Sequence, residues 1–251
     1  MIKRSSVIFF LFLIIGAISY SAIPLFAETE IKKEYYADGK PWYEISYKDG
    51  KKDGIATQYY QNGQLWRKMV FKDDKLEGMA EVYEETGKLI SQISCKDGKI
   101  DGQYKTYFKG KLSQEITYKK GQIDGVSKDY YPDGKLEKEI SFKSGKMDGF
   151  GRKYYEDGSL FGEVLYKDWK IVGVAKLYHR NGKLMYEIPY EKGKMQEAKI
   201  KAYDETGSPV KSVDAVELKI TMSWEFNSGE IAESYAPYVL PPEDKLGIFL
   251  R

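Results

Sequence analysis

From about residue 30 to about residue 207 the chain alternates apolar and polar residues in short runs, and nearly every run ends at a glycine. The stretch Lys143 to Val164 (K-S-G-K-M-D-G-F-G-R-K-Y-Y-E-D-G-S-L-F-G-E-V) shows the plan as turn, strand, turn, strand, punctuated by Gly145, Gly149 and Gly158. Period-two alternation between Asn-Gly or Asp-Gly turns predicts β-hairpins. No segment after the N-terminus shows a 3.6-residue period, so essentially no helix is expected in this region. The plan recurs. Gly39, Gly63, Gly87, Gly110, Gly134, Gly158, Gly182 and Gly207 are spaced by 24, 24, 23, 24, 24, 24 and 25 residues. Independent elements do not keep such a count, and the chain reads as a repeat array.

Aligned columns give the expected facing. Pro41, Leu65, Leu89, Leu112, Leu136, Leu160 and Leu184 form one column. Four residues on comes Ile45, Met69, Ile93, Ile116, Ile140, Val164 and Ile188, and two further on Tyr47, Phe71, Cys95, Tyr118, Phe142, Tyr166 and Tyr190. Even spacing places all three on one packed side. Glu44, Lys68, Gln92, Glu115, Glu139, Glu163 and Glu187 point the other way. If both turns are two-residue loops, Tyr59, Tyr83, Tyr107, Tyr130, Tyr154 and Tyr178 lie on that Glu side. Ala56, Ala80, Ser127, Gly151 and Ala175 then fall on the packed side, with Tyr60, Phe108, Tyr131 and Tyr155. Some units deviate: Asp74 and Trp169 replace a turn glycine, and the loop around Lys109 is one residue short. The fold class expected is all-β: an elongated, single-layer antiparallel meander of hairpins, each about 24 residues, with no single central core.

The ends differ from the array. Residues 1–27 carry Lys3 and Arg4, an apolar run from Val7 to Ile15, and Ala27 before the first acidic residue, the layout of a secretory signal peptide. Residues 5–27 are also uncharged and long enough to act as an uncleaved membrane-anchor helix. Either reading puts the repeats outside the cytoplasm, in the periplasm or the extracellular space. The array is expected over 31–207. An eroded terminal repeat or cap is expected over 208–235, where Leu218, Ile220, Met222, Trp224 and Phe226 alternate. An extended, proline-containing tail is expected over 236–251, with Leu246 to Leu250 able to dock on the array.

Composition narrows the functions. The 40 basic and 38 acidic residues give a net charge of +2, which offers no basic face for nucleic acid. A single Cys excludes an internal disulfide, and one Cys with one His gives no zinc set. Cys95 stands in an aromatic column and reads as a small buried residue. His179, replacing Tyr or Phe at a strand end, reads as a surface residue. The pairs Asp49 with Asp53 and Asp97 with Asp101 match no calcium-loop spacing and read as turn residues. The Glu column reads as a solvated ladder paired with Lys. No catalytic, phosphate-loop or metal motif is present, so no enzyme activity, cofactor or metal is expected.

The run Asp148-Gly149-Phe150-Gly151-Arg152-Lys153-Tyr154-Tyr155, followed by Asp157-Gly158, resembles the MORN repeat. The array as a whole resembles its bacterial variant, Tyr-x-x-Gly-x-Leu-x-x-Glu-x-x-Tyr-x-x-Gly-x-x-x-Gly, found in proteins often labelled YwqK-family antitoxins. The resemblance runs from Tyr35 to Tyr203. It implies a twisted sheet of successive hairpins and a role in protein interaction or membrane association without catalysis. The expected function is an exported scaffold for a protein partner, with the column Tyr59 to Tyr178 as a partner-binding stripe. The alternatives are a glycan or surface-ligand module, a peripheral membrane module contacting lipid through its Lys-rich turns, and an antitoxin-like neutraliser of a partner protein.

Overall fold

The computed structural model describes residues 29–226. The expectations for residues 1–27 and 236–251 lie outside the described residues. The chain forms two compact units, one ending at Gly110 and the other beginning at Lys111. The first unit carries β1 (Thr29–Tyr35), β2 (Pro41–Lys48), β3 (Lys51–Tyr59), β4 (Leu65–Lys72), β5 (Lys75–Leu76), β6 (Gly78–Tyr83), β7 (Leu89–Lys96) and β8 (Lys99–Phe108). The second carries β9 (Lys111–Lys119), β10 (Gln122–Tyr130), β11 (Leu136–Lys143), β12 (Lys146–Tyr154), β13 (Leu160–Lys167), β14 (Lys170–Tyr178) and β15 (Leu184–Glu191). It closes with the short strands β16 (Lys194–Met195), β17 (Lys201–Tyr203) and β18 (Pro209–Val210) and the helix α1 (Ala215–Phe226). Within each unit the strands pair antiparallel with their sequence neighbours. The all-β meander of hairpins expected from the sequence is the fold.

Two kinds of turn make the hairpins. The first is a two-residue loop with both residues left-handed: Asp49 and Gly50 at φ 51° and 77°, Ser144 and Gly145 at 50° and 79°. That geometry matches the right-handed twist of the flanking strands. Asp74 (φ 68°) and Trp169 (φ 70°) hold the same conformation without being glycine. The second turn is a three-residue loop. Tyr155 N–H donates to Ser159 O at 2.8 Å and Gly158 N–H to Tyr155 O at 2.8 Å, with Gly158 at φ 91°. The Asp157 carboxylate accepts the Ser159 N–H at 2.8 Å. An extra residue then enters the following strand, so that Tyr154 opposes Leu160 while Lys153 opposes Gly162.

This corrects the expectation of two-residue loops throughout. Loop and bulge together restore the register, so Tyr59 to Tyr178 still lie on the Glu side. The alternation count does not carry across the bulge, however, and the Leu column does not join the Ile column. Its leucines are half-buried in every unit, whereas Ile45, Ile93, Ile116 and Ile188 are at most 1% exposed. The Ile column instead packs with the small residues opposite it, Ile45 against Ala56 and Ile140 against Ser127 and Gly151.

A second bulge follows each two-residue turn and explains the Asp-Gly pair there. At Gly149 (φ 120°) an added Cβ would stand 2.7 Å from Ser141 Cβ; at Gly102 it would stand 2.8 Å from Ser94 Cβ. A Cβ on Gly125 would be equally close to Thr117 Cβ, at 2.8 Å, whereas one on Gly78 would meet Val70 only at 3.8 Å and one on Gly173 nothing within 4 Å.

The C-terminal part of the second unit departs from expectation. Leu218 to Phe226 form helix rather than an alternating strand of an eroded repeat. Leu218, Met222 and Phe226, four residues apart, are buried against Val164, Tyr166, Leu177 and Ile188. A run alternating every two residues also contains the i, i+4 set, so its periodicity alone could not separate helix from strand. The start signal lies upstream: the Asp214 carboxylate accepts the Val216 and Glu217 N–H groups at 2.9 and 3.0 Å, an N-cap. The pair Asp214 and Glu217 is the legible cue.

Gly149→Ala is expected to cost roughly 2–3 kcal/mol through combined strain and overlap. Gly173→Ala, strained but unobstructed, should cost only about 1 kcal/mol; urea-unfolding midpoints compare them. Burial pushes the Cys95 thiol up to about 11. Maleimide labelling at pH 8 should therefore be slowed about a hundredfold relative to the urea-unfolded chain.

Candidate functional site

The sheet of each unit has an inner face carrying the Ile column and an outer face carrying the Glu column. On the outer face of the second unit the charges alternate strand by strand: Glu115, Lys128, Glu139, Arg152, Glu163, Lys176, Glu187 and Lys201 oppose one another in turn. Arg152 lies 3.4 Å from both Glu139 and Glu163, and Lys201 3.0 Å from Glu187. Cross-strand opposite charges favour this register, while like charges opposite each other would penalise a slip. In the first unit the same row begins with Lys33 and Glu44, paired at 3.0 Å.

The tyrosine stripe lies beside this row and is wired to it. Tyr83 donates to Glu81 at 3.0 Å, Tyr107 to Gln92 at 2.9 Å, Tyr130 to Glu115 at 3.3 Å and Tyr154 to Glu139 at 3.0 Å. Burial first, then the adjacent carboxylate, pushes the Tyr154 hydroxyl above its ordinary range, as for Tyr178 beside Glu163. All six rings, Tyr59 included, are half-buried. Four of the stripe's hydroxyls thus bond to the array's own side chains.

Two features were missed by the sequence reading. One is a set of exposed apolar residues on the outer face, just after four of the bulge glycines, Gly54, Gly78, Gly149 and Gly173. Ile55, Met79, Phe150 and Val174 are 50%, 43%, 47% and 47% exposed. Phe150 opposes Leu165, itself exposed, and Val174 opposes Pro189. The Arg152 guanidinium lies 4.8 Å from the centre of the Phe150 ring. The signal was available: these positions share parity with Thr57, Arg152 and Lys176, not with Ala56.

The other is a set of tethers between successive repeats. The second Tyr of each Tyr-Tyr pair occupies a turn, not a packed strand position, and donates to a backbone carbonyl one repeat on. Tyr36 reaches Tyr59 O at 2.7 Å, Tyr60 reaches Tyr83 O at 2.8 Å, Tyr131 reaches Tyr154 O at 2.7 Å and Tyr155 reaches Tyr178 O at 2.8 Å. His179 holds the same place, its Nε2 2.8 Å from Tyr203 O. It is half-buried and structural rather than a plain surface residue. Asp53, one of the paired aspartates, is held by Lys72 at 2.6 Å.

Tyr155→Phe should cost about 1 kcal/mol, the net worth of one such bond. His179→Tyr should keep the tether and leave the thermal midpoint nearly unchanged; differential scanning fluorimetry distinguishes the two.

A family model described as MORN repeat variant matches the chain five times, over residues 31–49, 52–73, 123–144, 148–168 and 171–192. Each matched stretch contains one tethering residue: Tyr36, Tyr60, Tyr131, Tyr155 or His179. The unmatched stretch 74–122 is where Glu84 and Phe108 stand in the tether position. No curated protein matches the chain. Repeats of this type are non-catalytic and commonly mediate protein or membrane interactions. The chain is a MORN repeat variant protein, with matched repeats in both of its units.

Proposed function

We propose that the protein is an exported, non-enzymatic scaffold that binds a protein partner on the outer face of its repeats. The observation that carries the reading is the exposed apolar row. Phe150, Leu165 and Val174 stand in solvent on three adjacent strands, beside an orderly charged row. Apolar side chains grouped at a polar-rimmed surface are the usual mark of an interaction site. The tyrosine stripe supplies the other border of the same face. Tyr59, Tyr83, Tyr107, Tyr130, Tyr154 and Tyr178 offer ring surface to a partner even where their hydroxyls serve the array. Repetition suits an extended partner, because within each unit successive repeats present similar contacts. Export rests on the charged-then-apolar pattern of residues 1–27.

A photo-cross-linking residue placed at Phe150 or Val174 in the full chain, expressed in its own cells, tests both parts. The expected result is one defined protein adduct at both positions, in the envelope or medium fraction, lost when Leu165→Asp is added. Adducts to lipid or glycan alone would overturn the protein-partner reading. Recovery of the chain in the cytoplasm would overturn export.

A further inference from the structure

On the inner face, one row of opposing residues differs in kind between the two units. In the second unit it runs Gln114, Asp129, Lys138, Lys153, Gly162 and Leu177. Each cation in it has a carboxylate. Lys138 lies 3.9 Å from Asp129, and Lys153 pairs with Glu137 at 3.6 Å and with Glu225. Glu225 comes from α1, which also lays Leu218, Met222 and Phe226 on this face. Burial alone would lower the Lys153 ammonium; the carboxylates outweigh it and hold it above its ordinary value.

In the first unit the matching row runs Tyr43, Gln58, Arg67, Val82, Ser91 and Thr106. Here the cation has no carboxylate. Among the described residues Arg67 makes no ion pair, and its Nε is enclosed without an acceptor. The nearest carboxylate in the row, Glu34, sits three strands away, about 14 Å at sheet spacing. The guanidinium is held in place: its carbon lies 3.9 Å from the centre of the Trp66 ring, and Trp66 packs 5.6 Å from Tyr60. Two strands on, Ser91 is 1% exposed and its Oγ also lacks a partner. An enclosed Nε–H without an acceptor is costly, and a half-buried planar guanidinium fixed against a ring is suited to bidentate recognition of a carboxylate.

We infer that Arg67 is the anchor for a carboxylate-bearing segment of a partner protein, one that lies on the inner face of the first unit as α1 lies on that of the second. The segment presents Asp or Glu between apolar side chains, the chemistry that Glu225 and Phe226 of α1 bring to Lys153. This names the class of partner under the scaffold reading but uses a different face and a different unit from the outer apolar row. The two therefore fail separately.

Peptide display on the full chain tests it, with random 16-residue peptides as the probe. The expected consensus is one acidic position flanked by apolar ones. Binding of a selected peptide should weaken at least about tenfold when its acid is changed to the amide or when Arg67→Met is made, with no further loss from both together. Arg67→Met should not lower the thermal midpoint of the free chain, since it removes a cation without a carboxylate whose Nε has no acceptor; a residue serving only the fold would lower it. Arg67→Lys, which keeps the charge but not the fork, should recover part of the affinity. Acetate at millimolar concentration should not displace the peptide; displacement would mean a free-carboxylate site and overturn the inference. So would a consensus without an acid, or equal binding by Arg67→Met. Tighter peptide binding after deletion of residues 227–251 would assign the site to the chain's own C-terminal segment instead.

Discussion

The paired left-handed residues of the first turn are the constraint on which the rest of each unit depends. With Asp49 and Gly50, or Ser144 and Gly145, both at positive φ, the two strands leave the turn with matching twist and a single register. Every column is then decided. Ile140 meets Gly151 and Ser127, Glu139 meets Arg152 and Lys128, and neither meeting survives a slip of one residue. Trp169 shows how strongly the position is determined: a bulky residue that disfavours φ near 70° adopts it because the neighbouring turns and strands leave no alternative.

The same register divides the work between faces. The inner face holds the aliphatic column and, in the second unit, is covered by α1. The outer face holds a charge ladder whose pairs are surface pairs, individually weak, but ordered enough to make slipped pairings unfavourable. Between repeats the Tyr-to-carbonyl tethers fasten one three-residue loop to the next. Thus the sheet of each unit gains cohesion from hydrogen bonds at its rim as well as from its core. Surface apolar residues on the outer face are then spared a structural duty.

The hairpins, the period and the alternating faces were legible because Asn-Gly and Asp-Gly turns and period-two alternation carry direct backbone meaning. The facing of Tyr154 and its fellows was legible too, although by a compensation invisible in the letters: a three-residue loop and one bulge sum to the register of a two-residue loop. The half-buried state of the Leu column was not legible, because a bulge breaks alternation without changing the spacing of residues. Nor was α1, since Leu218, Met222 and Phe226 fit both periods and only the Asp214 cap breaks the tie. The exposed row at Phe150 and Val174 was readable from parity, but apolar letters beside a glycine invite assignment to the core. Arg67 could not be singled out from sequence, because its distinction is the lack of a carboxylate that only the register reveals.

Backbone nuclear Overhauser contacts across β11, β12 and β13 test the central claim, that one fixed register sets every column. With the register fixed, contacts are expected for the opposing pairs Glu139 with Arg152 and Arg152 with Glu163, and for Ile140 with Gly151. Contacts displaced by one residue, such as Glu139 with Gly151, or a mixture of both registers, would contradict it.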